Sequence, residues 1–227
     1  MGKSFVEISF LVICSAIALA PLGAHIGAPA EKDGAVFKWV WAAWVVFWGG
    51  FAVLTAQGFI AFDPVVLRLA ALFGGQVVVG VLVFFAVPSL RRAVRAIPLA
   101  WLVGWQMARV VGGFFLLGAM LGDVSMPFAA IAGFGDIAVG IFAGFTVVRM
   151  QAEPDQHARL ALRHMRMGLT DFAIAISTAV LTQAAIGWPY VLIPLFLVPM
   201  AVLAHLAVWD SVTQQRRGAL PGKAARA

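Results

Sequence analysis

Long stretches of hydrophobic residues dominate the chain, and short polar segments separate them. A transmembrane α-helix needs about 20 apolar residues to cross about 30 Å of hydrocarbon, because each residue adds about 1.5 Å. Such stretches occur at residues 5–27, 35–62, 64–87, 97–122, 126–148, 167–187 and 189–209. The pattern therefore predicts an all-α fold, a polytopic membrane bundle of seven transmembrane helices.

Composition supports this class and leaves little room for a soluble domain. The 227 residues are 63% hydrophobic and only 11% charged, which is unlike a soluble globular domain of this length. We expect a single transmembrane domain over residues 1–210 and a basic, disordered cytoplasmic tail over residues 211–227. Glu7 interrupts the first stretch and favours a retained helix over a cleaved signal peptide.

Basic residues cluster on one side of the predicted bundle. They follow the third, fifth and seventh stretches, at Arg91, Arg92, Arg95, Arg149, Arg159, Arg163, Arg166, Arg216, Arg217, Lys223 and Arg226. Because cytoplasmic loops are rich in Lys and Arg, we expect the N-terminus outside and the C-terminus in the cytoplasm. The formal net charge of +6 then reflects orientation and contact with anionic lipid headgroups, so no nucleic-acid partner is expected.

Two opposite charges lie near the centres of neighbouring apolar stretches. Arg109 is inside stretch 97–122 and Asp136 is inside stretch 126–148. Only a few residues join these stretches, so the two helices should be antiparallel neighbours. A charge at mid-depth costs about 2.5–3.5 kcal/mol on insertion scales, which predicts that the two residues pair. The pair is either part of a functional site or a lock between two helices.

Four further polar residues extend this candidate site. Gln76 and Gln106 are predicted at the depth of the charge pair, because they lie near the middle of their stretches. Asp171 and His205 are predicted in a second layer toward the cytoplasm, where histidine can change its charge near neutral pH. Such a set of polar groups is typical of a pathway for an ion, a small molecule or protons.

Three segments are predicted to have special backbone roles. Small residues at helical spacing form a stripe around Asp136 and indicate tight packing against the preceding helix. Pro194 and Pro199 interrupt the last stretch; an ordinary kink is the favoured explanation, and a broken helix of the transporter type is the alternative. Residues 151–166 mix acids, histidines and arginines, which indicates a solvated amphipathic loop.

The cofactor is unknown from the sequence. Metal or haem ligation needs two or more well-placed ligands, and His25 and His205 are only weak candidates. No lysine lies in stretch 189–209, which argues against a retinal Schiff base of the microbial rhodopsin type. No motif for nucleophilic catalysis is visible, so a non-enzymatic role is favoured over an enzymatic one.

Four motifs in the predicted helices four to seven carry a family resemblance. They are QMARVVGGFFL at 106–116, MPFAAIAGFGD at 126–136, GLTDFAIA at 168–175 and LIPLFLVP at 192–199, followed by His205. With these motifs the chain resembles a group of short bacterial seven-helix membrane proteins without an assigned activity. The resemblance implies that the motif residues form one module in a bacterial cytoplasmic membrane, and it implies no substrate.

These observations predict an integral membrane protein that moves or senses a small molecule or ion through a polar intramembrane site, with coupling to protons. Arg109 would bind an anionic group or anchor Asp136 as its counter-ion, and His205 and Asp171 would relay protons. One alternative is a membrane-embedded metal or haem enzyme or redox protein that uses His25, His205 and Asp171. Another is an accessory subunit of a larger membrane complex. The expected partners are the lipid bilayer and a small molecule or ion. The sequence leaves open whether the protein forms a homo-oligomer.

Overall fold

The computed structural model of the chain describes residues 3–23, 31–58 and 73–219, and these residues form helices and connecting turns without strands. The α-helices are α1 (Lys3–Leu19), α2 (Glu31–Ala56), α3 (Gly75–Ala86), α4 (Pro88–Ala96), α5 (Leu99–Trp105), α6 (Gly113–Met120), α7 (Met126–Ala152), α8 (His157–Leu181) and α9 (Val198–Ala219). A 3₁₀ segment, Gln106–Gly112, joins α5 to α6, and a π-helical segment, Ile193–Leu197, leads into α9. The all-α prediction is confirmed for this part of the chain.

Several of these helices are long and apolar enough to cross a bilayer, which indicates a membrane protein. By length and composition, four candidate spans lie within the described residues: Asp33–Phe51, Leu99–Met120, Met126–Ala152 and Ile193–Arg216. Helices α3 and α4 together also pass this test as a bent pair, with an angle of 96° between them. Residues Ser4–Leu19 form a shorter apolar helix.

The bend between α3 and α4 follows from the sequence at Pro88. Val87 has extended backbone angles, as expected for a residue that precedes proline, and Pro88 begins the next helix. Helix α4 is amphipathic and buries Leu90, Ala93 and Val94 against the bundle. It therefore lies across the end of the bundle instead of continuing α3.

Charged side chains fasten α4 to its neighbours. Arg91 and Arg95 both bind Asp210 of α9, with N–O distances of 2.5 and 2.7 Å. On the exposed side, Arg92 donates to both carboxylate oxygens of Asp33 in α2, at 2.8 and 3.0 Å. Three arginines that predicted the cytoplasmic side are thus also engaged in ion pairs.

Two segments differ from the sequence-based expectation. Residues 151–166 are mostly helical, because α7 continues to Ala152 and α8 already begins at His157. Leu160, Ala161 and His164 are buried, so one face of this segment packs on the bundle instead of being solvated. Residues 211–219 were expected in a disordered tail, but they continue α9 to Ala219 and bury Ser211 and Val212.

Small residues let α7 pack closely against the 3₁₀ segment, as the stripe around Asp136 predicts. A Cβ atom on Gly133 would lie 3.1 Å from the Gly112 carbonyl oxygen, and one on Gly140 would lie 3.0 Å from the Val110 nitrogen. Backbones approach this closely only where side chains are absent. The close contact brings Asp136 directly against the turn that carries Arg109.

Candidate functional site

The centre of the site is the guanidinium of Arg109, which the 3₁₀ segment carries into the bundle. Its Nε donates to Oδ1 of Asp136 at 2.8 Å, and its Nη2 lies 2.6 Å from the same oxygen. Both side chains are buried, with 5% and 8% of their surface exposed. Arg109 and Asp136, which the sequence located on adjoining apolar stretches, are therefore in direct contact.

A second carboxylate, Asp171 of α8, binds the same guanidinium. Arg109 Nη2 donates to Oδ2 of Asp171, and Nη1 donates to the Gly168 carbonyl at 3.3 Å. The guanidinium carbon also lies 3.7 Å from the centroid of the Phe172 ring, which is close enough for a cation–π contact. Arg109, Asp136 and Asp171 together form one charged centre. The sequence had suggested that Asp171 lies in a separate layer toward the cytoplasm.

Three glycines allow this charged centre to assemble. A Cβ on Gly112 would lie 2.6 Å from Oδ2 of Asp136, and a Cβ on Gly135 would collide with Oδ1 of Asp171. A Cβ on Gly168 would lie 3.0 Å from Nη1 of Arg109 and 2.5 Å from Nε2 of His205. At each position a side chain would displace a group of the site, so the three helical segments can meet only at glycine.

The charges of this cluster do not balance. One guanidinium faces two carboxylates, so the trio carries a net charge of −1 when all three groups are ionised. Asp171 is the more accessible of the two acids, with 16% of its side chain exposed. An uncompensated buried charge is costly, so the geometry favours occupation of this site by one additional positive charge.

Two histidines lie beside the charged centre. His205 of α9 and His164 of α8 are 1% and 3% exposed, and their ring centroids are 6.1 Å apart. Among the described residues, Nε2 of His205 and both ring nitrogens of His164 have no hydrogen-bond partner. His205 also lies 6.2 Å from Phe172, measured between ring centroids. The pair therefore offers unpaired imidazole nitrogens next to Arg109.

His164 was not among the predicted site residues, because the charged segment 151–166 was expected to form a loop. One signal could have located it. His164, Gly168 and Phe172 are spaced by four residues, so they occupy one face of a helix, and Asp171 lies at the edge of that face. Extending the helix upstream of residue 167 would have added His164 to the candidate site.

The two glutamines connect the bundle to the broken last helix. Gln76 Nε2 donates to the Leu195 carbonyl, and Gln106 Nε2 donates to the Ala201 carbonyl at 3.3 Å. Leu195 lies four residues before Pro199, which has no N–H to donate to that carbonyl. Gln76 is therefore placed against the π-helical segment and away from the charged centre, while Gln106 adjoins Arg109 along the chain.

Two cavities meet the charged centre. The smaller, of about 30 Å³, is lined by residues that include Gln106, Arg109, Asp136 and Phe172. The larger, of about 130 Å³, is lined by Asp136, by aliphatic side chains and by four phenyl rings, from Phe73, Phe115, Phe128 and Phe172. We call the larger one the phenyl cavity. Asp136, Phe172 and Val198 line both cavities, so Asp136 is the charged group that both spaces reach.

Of the two predicted metal ligands, only His205 lies in the part of the chain that the structure describes. His25 lies outside the described residues, and His205 neighbours His164 and Arg109. Among described residues, no group of three or more His, Cys, Asp or Glu side chains could hold a metal ion.

Comparison with known proteins places these residues in an uncharacterised family. The model of a domain of unknown function, DUF8737, matches residues 66–210, a region that contains Gln76, the charged centre and both buried histidines. No curated protein and no solved structure matches the chain. Because the match covers more than half of the sequence, the chain belongs to the DUF8737 family.

Proposed function

We propose that the protein moves or senses a small molecule or ion across a bacterial cytoplasmic membrane, and that this activity is coupled to a proton at the centre formed by Arg109, Asp136 and Asp171. The observation that carries the proposal is the shared guanidinium. Two buried carboxylates bind one arginine, which leaves the ionised trio with one excess negative charge. A proton or a cation neutralises that charge, so its binding and release change the electrostatic state of the bundle.

In this mechanism each residue has a distinct role. Arg109 holds both carboxylates in place and keeps one of them ionised. Asp136, which lines both cavities, is the group that meets the moving species. His205 and Asp171 pass protons toward the cytoplasmic side, and a proton on one carboxylate removes the excess charge without a second ligand.

The topology that fits this function has seven spans, with the N-terminus outside and the C-terminus in the cytoplasm. Support comes from four candidate spans, the bent α3–α4 pair, the apolar helix at Ser4–Leu19 and the apolar second half of α8. The basic residues in α4, at the α7–α8 junction and at the end of α9 would then all lie on the cytoplasmic side.

Single-cysteine labelling tests this topology. In a C14S background, D155C and Q214C replace exposed residues on the predicted cytoplasmic side, and T182C replaces an exposed residue on the opposite side. In intact cells a membrane-impermeant maleimide should label T182C alone, and permeabilisation should expose the other two. Labelling of D155C or Q214C in intact cells would contradict the proposed orientation.

Proton flux into liposomes tests the function. Vesicles containing the purified protein and a trapped pH-sensitive dye should acidify faster than empty vesicles when an inward proton gradient is imposed. D136N and D171N each neutralise the trio and should abolish this difference, because one carboxylate then balances Arg109. D155N, an equivalent change at an exposed acid, should leave the flux unchanged.

Two outcomes would overturn the proposal. Wild-type flux equal to that of empty vesicles would rule out proton movement by the protein alone and would leave a sensor or an accessory subunit. Flux that persists in both D136N and D171N would mean that protons cross elsewhere, and the charged centre would then be a structural lock.

A further inference from the structure

We propose that the phenyl cavity binds a small apolar monocation, an amine or ammonium with one ring or a similar alkyl body, and that this cation exchanges for a proton at Asp136 and Asp171. The inference rests on the proposed function and names the chemical class of the species that moves or is sensed. It is carried by the size of the cavity, by its ring-lined wall and by the excess charge that it reaches.

The cavity has room for about one ring. Its volume is about 130 Å³. An apolar cavity of about 150 Å³ in a protein interior is known to stay dry and to accept benzene. The described residues that line the cavity are apolar except for Asp136, so the body of the ligand must be apolar as well.

The charge reached by the cavity requires a cation. Asp136 is the only ionisable residue among the described residues that line it, and Asp136 shares its guanidinium partner with Asp171. An anion would be repelled by the two carboxylates, and a neutral ligand could not replace the proton that otherwise compensates the excess negative charge. Phenyl faces also attract cations, and four phenyl rings line this cavity.

A small metal cation fits this wall poorly. Hard cations bind to several oxygen ligands at once, and apart from Asp136 the described side chains of the cavity contribute none. A metal ion that entered would lose its water shell without replacement. An organic ammonium is weakly hydrated over its apolar body, so it loses far less on entry.

Proton exchange follows from the groups that surround Asp136. Arg109 of the 3₁₀ segment binds Asp136, and Asp171 of α8 binds the same guanidinium. His205 of α9 lies next to Gly168, and the ring of His164 in α8 lies 6.1 Å from that of His205. A positive charge on His205 would face Arg109 at close range, so the carboxylates are the favoured place for compensation. When the ammonium ion binds, the protonated carboxyl releases H⁺ and becomes the carboxylate that pairs with the ligand.

Binding to the purified full-length protein tests the inference, with benzylammonium as the probe. Benzyl alcohol and phenylacetate serve as neutral and anionic probes that also carry one ring. Calorimetry should show saturable binding of benzylammonium that is at least about tenfold tighter than that of either control. Each binding event should release protons to a weakly buffered solution, and acidification should weaken the affinity because protons compete for the same charge.

Matched variants distinguish binding of benzylammonium in the cavity from its unspecific partition into detergent micelles. D136N and D171N should each weaken benzylammonium binding about tenfold, whereas D155N should leave it unchanged. F128A removes a ring of the cavity and should weaken binding, while F134A changes an exposed ring on the same helix and should have no effect. Elution of every variant as a folded monodisperse species ensures that loss of binding is not loss of fold.

The results distinguish this inference from the proposed function. Equal affinity for benzyl alcohol, or equal losses in F128A and F134A, would overturn the cation site, while proton flux that depends on Asp136 and Asp171 would still support the function. Specific binding without proton release would overturn the exchange. Specific binding with proton release, but without proton flux even into liposomes loaded with benzylammonium, would favour a sensor over a carrier.

Discussion

Gln76 provides the hydrogen bond that Pro199 cannot make. Its side-chain amide donates to the Leu195 carbonyl, which lies four residues before the proline in the last helix. In a regular helix the N–H of residue 199 would satisfy that carbonyl. A glutamine from α3 thus satisfies the backbone of another helix, as broken membrane helices require.

This relationship predicts a coupling between the two positions. Q76L should lower the free energy of unfolding by about 1–3 kcal/mol, since the buried Leu195 carbonyl then loses the Gln76 amide. In a P199A background the new N–H can bind Leu195, so the same leucine substitution should cost less. Reversible unfolding in mixed micelles measures all four proteins. Additive effects of the two substitutions would refute the coupling.

Removal of Arg109 distinguishes a functional site from a lock. R109Q leaves two buried acids without a partner and should cost about 3–5 kcal/mol if both stay ionised. If the acids become protonated instead, R109Q should abolish proton flux while the protein can still be recovered from the membrane. The triple variant R109Q/D136N/D171N carries no charge at the centre and should recover stability while proton flux stays absent. Wild-type flux in the triple variant would assign the trio a structural role alone.

His164 should control the rate at which protons reach the centre. H164L removes the two unpaired nitrogens that lie near His205 but leaves both carboxylates and Arg109 intact. We expect slower proton flux into liposomes with unchanged equilibrium binding of benzylammonium. H205L should have the same effect on flux. Unchanged flux in both variants would mean that protons bypass the histidine pair.

Asp210 should contribute more to stability than Asp33, although both acids bind arginines of α4. Asp210 has 4% of its side chain exposed and binds both Arg91 and Arg95, whereas the Arg92–Asp33 pair is largely exposed. D210N should therefore lower the free energy of unfolding by about 1.5–3 kcal/mol, the range for hydrogen bonds to charged groups. D33N should have a much smaller effect, because water screens an ion pair at the surface. Thermal unfolding of the two variants in the same lipid mixture provides the comparison.

The charged centre shows how far residue spacing can predict contacts. The short connection between the stretches that carry Arg109 and Asp136 forces neighbouring helices, and the structure has these residues in contact. No short connection in the chain forces the contact between Arg109 and Asp171. Helix α8 follows a separate junction, and its rotation about its own axis depends on packing against Gly135, which the sequence pattern does not encode.

The ends of elements were harder to predict than their type. Residues 151–166 contain many charges, and a hydropathy pattern therefore separates them from the apolar helices. In the structure one face of this segment is buried and the charges occupy the other faces. Helix α8 therefore already begins at His157, and His164 is buried in the bundle. Such a helix depends on the neighbour that covers its apolar face, because its average hydropathy resembles that of a loop.

The sequence by itself determined the helical class, the apolar stretches and the presence of opposite charges within neighbouring stretches, because these properties depend on local composition and on short connections. Only the tertiary structure decided that one arginine binds two acids, that His164 and His205 lie close together, and that four phenyl rings line a cavity beside Asp136. The physical reason is that helix rotation, tilt and the 96° bend after α3 are set by side-chain packing between segments far apart in the chain. Those long-range contacts turned the Arg109–Asp136 pair of the sequence into a site with one unbalanced charge.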